Sequence, residues 1–507
     1  MSAFHTLPMI RRLHHTALWA ALLPALWLVA ACSTNPATGK QSFTAFMSKE
    51  DELRIGAEEH PKMIKEFGGA YADAKLRAYI RRIGLKLAGF SEARDLPYTF
   101  TILNNDKVNA FALPGGYVYI TRMLLALAEN EAEMASVLAH EIGHVAARHT
   151  AERYSTAMAT NLGLILLGAI GSTAGSTAGL PSGVGRIIGF GAQAALQGHS
   201  REQELEADML GVRYMTRAGY TADGMTSFFY KMQAHAELER AMEGKKGEAG
   251  NNIMSTHPRT AQRINQAIGL ARAAPVRDPI LGRGEFLAEI DGMVFGDDPE
   301  QGVRRGRVFT HPELRVEFRV PPNFVLFNSP HQVIARGPGN SVVIFDMAPD
   351  KTARRVRSLR GYIAETWASN LALRGQERIA INGMKAATAE ARVSTPGGAR
   401  DIRLVAIRGS EGRIFRLAFI SAPEMTARLS TGFRRTTWSF RRISEAEARA
   451  IKPLKVRVVT VKDGDTALGL SARMPLGKFN RRWFETMNRN ALGRGLAASG
   501  AVKTVGE

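Results

Sequence analysis

The run from Glu131 to Ala147 constrains this 507-residue chain more than any other. Glu131-Ala-Glu-Met-Ala-Ser-Val-Leu-Ala-His140 has the spacing of a helix, and it continues as Glu141-Ile142-Gly143-His144. Residues four apart stack on one helix face, so His140 and His144 point the same way. Their neighbours Ala139, Ile142, Gly143, Val145, Ala146 and Ala147 are small or apolar, which predicts a mostly buried helix. Two imidazoles inside an apolar setting need partners, and one shared metal ion supplies both. Zinc suits imidazole plus carboxylate with one position left open. Glu141, beside the first histidine, is placed to take a proton from an attacking water.

Two histidines leave a ligand missing. A third histidine six residues after His144 would complete one known extension of this spacing. Thr150 stands there instead, and His149 is one position off and expected on another face of a continuous helix. The better source is Ser200-Arg-Glu-Gln-Glu204-Leu-Glu-Ala-Asp208, which runs on with helical periodicity to Met215. Glu204 and Asp208 again share a face. Glu204 is read as the third ligand. Asp208 is read as the acceptor that fixes the tautomer of a ligand histidine. His199, just before this helix, is read as a cap or surface residue.

The set resembles the zinc endopeptidases that include the CAAX prenyl proteases, the HtpX heat-shock protease and the periplasmic protease BepA. The matching stretches are His140 to His144, Asn109-Ala-Phe-Ala-Leu-Pro-Gly-Gly116, Glu204 to Asp208, and Ser255-Thr-His257-Pro258 with Arg263 beyond it. Together they span residues 40–270. The resemblance implies one zinc ion per chain and peptide-bond hydrolysis with Glu141 as general base. It also implies His257 as a resting ligand or transition-state donor, and Arg263 beside the oxyanion. Taken without it, His257 is equally well an exposed loop histidine.

Residues 1–31 read as a targeting segment. Arg11 and Arg12 precede an uncharged apolar run, Ala17 to Ala31, too short for an ordinary membrane span. Val29-Ala30-Ala31-Cys32 resembles a bacterial lipoprotein processing site. That implies Cys32 as a lipidated N-terminus, with Ser33 directing it to the outer membrane and the protein to the periplasm. Cys32 is the only cysteine, so no disulfide can form within the chain. Residues 32–48 are expected to be a polar tether.

A metallopeptidase domain is expected over 49–271, mainly helical and zincin-like, with a small sheet. Helical spacing runs from Lys49 to Phe90, and strands are expected at Tyr98–Leu103 and Tyr117–Thr121 around a Pro114-Gly115-Gly116 turn. A strand beside a metal helix can take substrate by edge pairing. This makes Asn109, Gly115, Gly116, Tyr117, Val118 and Tyr119 candidate substrate-binding residues. Residues 161–170 read as a core helix, and the glycine-rich stretch 172–191 as a lid hinge.

Residues 272–300, rich in Pro and Gly, read as a linker. Residues 301–445 alternate strands (Leu314–Val320, Ser341–Met347, Ile402–Arg408, Ile414–Ile420) with helices near 352–372 and 423–434, an α+β pattern that resembles PsbP/Mog1-like domains. Residues 456–507 resemble a βααβ LysM module: Val458 to Thr466, Leu468 to Met474, Phe479 to Asn488 and Ala501 to Val505 match its pieces in order. The class expected is therefore α+β multidomain.

From residue 301 onward there are 37 Lys and Arg against 16 Asp and Glu, so this half carries the whole net charge of +20. Anionic envelope polymers or peptidoglycan are the partners this suggests, besides protein substrates and the membrane reached through the lipid. An export signal argues against nucleic acid. A second class of function fits the same features: an envelope assembly or peptidoglycan-binding scaffold lipoprotein that seldom cuts.

Overall fold

The computed structural model describes residues 32–166, 198–243, 257, 261–273, 275–496 and 500–507. The expected targeting segment, the glycine-rich hinge, and the residues flanking His257 lie outside them. No helix among the described residues is long and apolar enough to cross a membrane.

The stretch expected to be a tether is a docked hairpin. Its strands β1 (Cys32–Thr34) and β2 (Gln41–Phe43) pair antiparallel. Asn35 Nδ2 donates to the Ala147 carbonyl at 2.9 Å, and Phe46 N donates to Ser155 Oγ at 3.1 Å. Asn35 thus finds its partner where the metal helix ends, and Phe46 finds one on the helix that follows.

Helices α1 (Lys49–Glu66) and α2 (Ala74–Ala88) follow. Ser48 and Asp51 form a reciprocal cap on α1, and Asp73 caps α2. Leu76, Tyr79, Ile80, Ile83 and Leu87 line the buried face of α2 at helical spacing. Strands β3 (Thr99–Leu103), β4 (Ala110–Leu113) and β5 (Tyr117–Thr121) make a sheet in the order β3-β5-β4. The β4–β5 turn needs its glycines: Gly115 and Gly116 have φ of +80° and +89°, conformations that cost other residues dearly.

The sheet leads into α3 (Arg122–Leu127), the metal helix α4 (Glu131–Ala146) and α5 (His149–Leu166). Beyond lie α6 (Arg201–Arg217), α7 (Asp223–Glu243) and α8 (Ala261–Ala273). Every residue of α4 except Val145 is buried. The expected linker holds α9 (Arg283–Ile290), with Phe286, Leu287 and Ile290 buried, and the short strand β6 (Val294–Phe295). Arg122 anchors it, donating to the carbonyls of Val294 and Gly296 at 2.9 and 2.7 Å.

The next region is β-rich. Strands β7 (Val303–Arg305), β8 (Val308–His311) and β9 (Val316–Arg319) begin a small sheet, which β17 (Arg441–Arg442) completes. Strands β10 (Val325–Asn328), β11 (Val333–Arg336), β12 (Val342–Met347), β13 (Arg374–Ile381), β14 (Met384–Thr395), β15 (Gly398–Arg408) and β16 (Ile414–Ser421) form one antiparallel sheet. Its order is β10-β11-β12-β16-β15-β14-β13. Helix α10 (Pro423–Ser439) packs Leu429 and Phe433 on one face, while Tyr362, Ile363 and Trp367 cover the other.

The chain then returns. Strand β18 (Leu454–Thr460) pairs with β6 and with the closing strand β19 (Ala501–Gly506), so the β-rich region is an excursion between two paired strands. Between them lie α11 (Ala467–Ala472) and α12 (Asn480–Met487). The strand–helix–helix–strand order is the expected one, yet the unit does not stand apart. Val456, Phe484, Met487, Val502 and Val505 share one apolar core with α2, α4 and α7.

A polar clamp accompanies this packing. Lys503 is fully buried, and its Nζ donates to the carbonyls of Ala126, Leu127 and Ala128, where α3 ends. Glu129 accepts from Lys231 at 2.6 Å and from the backbone N–H groups of Asn490 and Ala491 at 2.9 and 2.7 Å. Glu133, in the first turn of α4, accepts from Lys231, Ser227 and Asn490. Removing the donor should therefore be felt at the start of the metal helix. Lys503→Met keeps the aliphatic bulk but strands buried carbonyls, at a cost of about 1–3 kcal/mol. A lower midpoint in denaturant unfolding followed by circular dichroism is the expected result; an unchanged midpoint would refute the clamp.

Candidate active site

The site exists because α4 and α6 touch. A Cβ on Gly143 would lie 2.9 Å from the Ala207 carbonyl oxygen, and one on Gly211 would lie 3.2 Å from the His140 backbone nitrogen. The first is closer than side chains tolerate and the second is tight, so glycine at Gly143 above all permits this spacing. Asn130 caps α4, and a reciprocal Ser200–Gln203 cap fixes the start of α6. Glu204 and Asp208, one turn apart, then face His140 and His144.

Four ligand-type atoms converge. His144 Nε2 is 3.0 Å from His140 Nε2, which is 3.2 Å from His257 Nδ1. Glu204 Oε1 lies 2.9 Å from His257 Nδ1 and 3.4 Å from His144 Nε2. Tetrahedral ligands at zinc distances of about 2.0–2.1 Å stand about 3.3 Å apart, and this spacing matches. Three imidazoles whose nitrogens face one another within 5 Å cannot all satisfy each other with protons, whereas a cation satisfies them together. Glu141 Oε1 lies 3.5 Å from His257 Nε2. Its other oxygen, Oε2, is buried with no hydrogen-bond partner among the described residues.

Surrounding charges set the protonation states. Burial alone would raise the Glu204 carboxyl, but His257, Arg263 and His140 outweigh it and hold it far below the ordinary range. Burial, reinforced by His140, His149 and His257, drives His144 well below the usual histidine value, so it is neutral and free to ligate. Burial raises Glu141 against the pull of His257 and His140, as a proton acceptor near neutrality requires. Burial would lower His257, yet Glu204 and Glu141 bring it above the usual value.

Asp208 Oδ1 lies 2.9 Å from His140 Nδ1. Arg263 grips the same carboxylate with two hydrogen bonds of 2.7 Å and reaches Glu204 Oε2 with Nη1 at 2.5 Å. Expected beside the oxyanion, Arg263 is instead committed behind the carboxylates that orient the ligands. It also stacks over the Phe229 ring, 4.9 Å from its centroid.

The candidate substrate residues need a correction. Strand β5 is central, flanked by β3 and β4, so Tyr117, Val118 and Tyr119 have no free backbone edge to offer. Tyr119 turns its ring away, against Phe111 and the α1 residue His60, whose Nδ1 is 2.6 Å from the Tyr119 hydroxyl. Gly115 and Gly116 shape the turn against Glu52, Leu53 and Tyr98. The open edge belongs to β4. Thr121 N donates to Asn109 O, and pairing alternates along an antiparallel ladder. The backbone groups of Ala110 and Ala112 therefore face outward.

Three residues join the site unforeseen. His149 Nδ1 is 2.8 Å from His144 Nδ1, and His149 Nε2 is 3.4 Å from Glu206 Oε2. The helix does not continue through it: Arg148 takes a φ of +55° and starts a new direction, which swings His149 back. His199 lies flat on His144, ring centroids 3.6 Å apart. No breaker marks this point in the sequence, since Ala147 and Arg148 are both good helix formers.

The ligand-orienting carboxylate is directly testable. Asp208→Asn keeps the shape but removes the charge that Arg263 and His140 share. Losses of this kind weaken metal binding roughly 10–100-fold. Competition with a chromophoric chelator should show that drop; wild-type affinity would refute the role.

Residues 74–271 match the model of Peptidase family M48. The chain is 32% identical over 223 residues to the beta-barrel assembly-enhancing protease of Escherichia coli O157:H7, a stretch that covers 44% of each protein. It is 27% identical over 224 residues to the mitochondrial metalloendopeptidase OMA1 of Schizosaccharomyces pombe, covering 43% of this chain and 61% of that one. The matched stretch thus spans less than half of the bacterial relative. Among solved structures, the cyanobacterial PsbP of Synechocystis aligns over 28% of this chain and 98% of its own, at 17% identity and a TM-score of 0.21. Residues 74–271 are accordingly a Peptidase family M48 domain, a zinc metallopeptidase domain whose metal-binding group is His140, His144 and Glu204.

Proposed function

We propose that the chain is a zinc-dependent endopeptidase of the bacterial cell envelope, acting on misfolded or misassembled envelope proteins. The observation that carries this is the buried His140, His144 and Glu204 group beside a carboxylate, Glu141, with an oxygen that no described protein group engages. Zinc bound there polarises the scissile carbonyl and makes water acidic enough to act as nucleophile near neutral pH.

The protein's own groups do the rest. Glu141 takes the proton of the attacking water and passes it to the leaving amine. The outward N–H and C=O groups of Ala110 and Ala112 pair with an extended substrate, which reads backbone rather than side chain. His257, with Nδ1 3.2 Å from His140 Nε2 and 2.9 Å from Glu204 Oε1, would help His140, His144 and Glu204 hold the ion. Arg263 and Asp208 would keep those side chains aimed.

The sequence and the relatives support this setting. Cys32 after Val29-Ala30-Ala31 supports a lipid anchor on the periplasmic side of the outer membrane. The beta-barrel assembly-enhancing proteases supply the client class by homology. The basic half and the LysM-like closing unit add contact with anionic envelope polymers or peptidoglycan.

Two experiments test this. Glu141→Gln should keep stoichiometric zinc while casein hydrolysis falls roughly 10²–10⁴-fold; unchanged hydrolysis would end the peptidase reading. Radiolabelled palmitate should enter the wild-type protein in cells and not the Cys32→Ala variant; equal labelling would remove the anchor.

A further inference from the structure

His140 and His144 are held differently. Asp208 orients His140 directly, but no carboxylate among the described residues lies beside the outer nitrogen of His144. That nitrogen, Nδ1, meets His149 Nδ1 at 2.8 Å, and the opposite nitrogen of His149 faces Glu206 at 3.4 Å. His149 is 1% exposed and Glu206 9%, so water does not substitute freely for either contact.

Only one arrangement of protons fits. A ligand His144 presents the Nε2 lone pair to the ion, which leaves its hydrogen on Nδ1. His149 Nδ1 must then accept, so the hydrogen of His149 sits on Nε2 and points at Glu206. The reverse arrangement would oppose two N–H groups, or two lone pairs, at hydrogen-bond distance.

His144, His149 and His199 also lie close enough to suggest a second ion, but the rings oppose it. His199 stacks on His144 with planes only 22° apart, so their in-plane lone pairs run alongside each other and do not converge. His149 Nδ1 is already turned to His144.

We propose that His149 and Glu206 form a positioning relay: Glu206 sets the tautomer of His149, which in turn orients His144 and makes it a stronger ligand. The far end of the relay is anchored by the N-terminal hairpin. Lys40 Nζ lies 3.8 Å from Glu206 Oε2. The relay rests on His144 being a metal ligand, not on which substrate is cut.

The test uses the full-length chain, stripped of metal and titrated with zinc against a chelator, then with cobalt for its ligand-field spectrum. His149→Ala should bind zinc roughly 10–100-fold more weakly, and Glu206→Ala should shift affinity in the same direction. His149→Asn places an amide oxygen where Nδ1 stood and should restore affinity to within about threefold. Cobalt absorption should shift in the alanine variants and not in His149→Asn. One ion per chain is expected in all of them. Wild-type affinity in both alanine variants, whatever their thermal stability, would overturn the relay, as would a second tightly bound ion. If His149→Ala does not fold, Glu206→Ala and His149→Asn still decide. Glu141→Gln serves as control: wild-type zinc binding without hydrolysis leaves the relay standing, and hydrolysis unaffected by it would sink the peptidase reading alone.

Discussion

Backbone contact between α4 and α6 is the constraint from which the metal site follows. With a side chain at Gly143 the helices would have to shift apart, and one at Gly211 would crowd the His140 backbone, so the carboxylates of one helix would reach the imidazoles of the other less well. Close-packed interiors do not absorb such shifts gradually. The ligand set is therefore built by what is absent at two positions as much as by the charged residues around them. Arg263 bridges the two α6 carboxylates, Glu204 and Asp208, and together with His257 it offsets the burial of Glu204.

The sequence exposed the parts of this site that obey helical spacing. His140 and His144 are one turn apart, as are Glu204 and Asp208, and both pairs sit in runs whose apolar period is unmistakable. His149 escaped because spacing arguments assume a continuous helix, and the chain breaks at Arg148. The role of β5 was misjudged because three short strands can be ordered in several ways, and pattern alone does not say which lies in the middle. In the β-rich region, β14 was overlooked: Met384-Lys-Ala-Ala-Thr-Ala-Glu-Ala391 has the composition of a helix. Pairing with β13 and β15 overrides that preference. The hairpin at 32–43 was likewise invisible, since its partners are backbone groups of distant helices.

Boundaries were harder to see than elements. Composition divides the chain into a near-neutral front and a basic back, but the core ignores that division. Phe484, Met487 and Val502 come from the basic half and complete the apolar interior of the metal-binding half. The β-rich excursion leaves and rejoins through paired strands β6 and β18, and Arg304 and His331 tie it back to Asp106 and Glu66.

Lys503 and the α3 carbonyls it holds are separated by 377 positions at the widest. Contacts so far apart form late, after the intervening chain has been made and gathered. A nascent molecule therefore has its histidine pair in hand long before the frame beneath that pair is finished. Any activity that depends on that frame is postponed, by topology alone, until strand β19 has been made and docked.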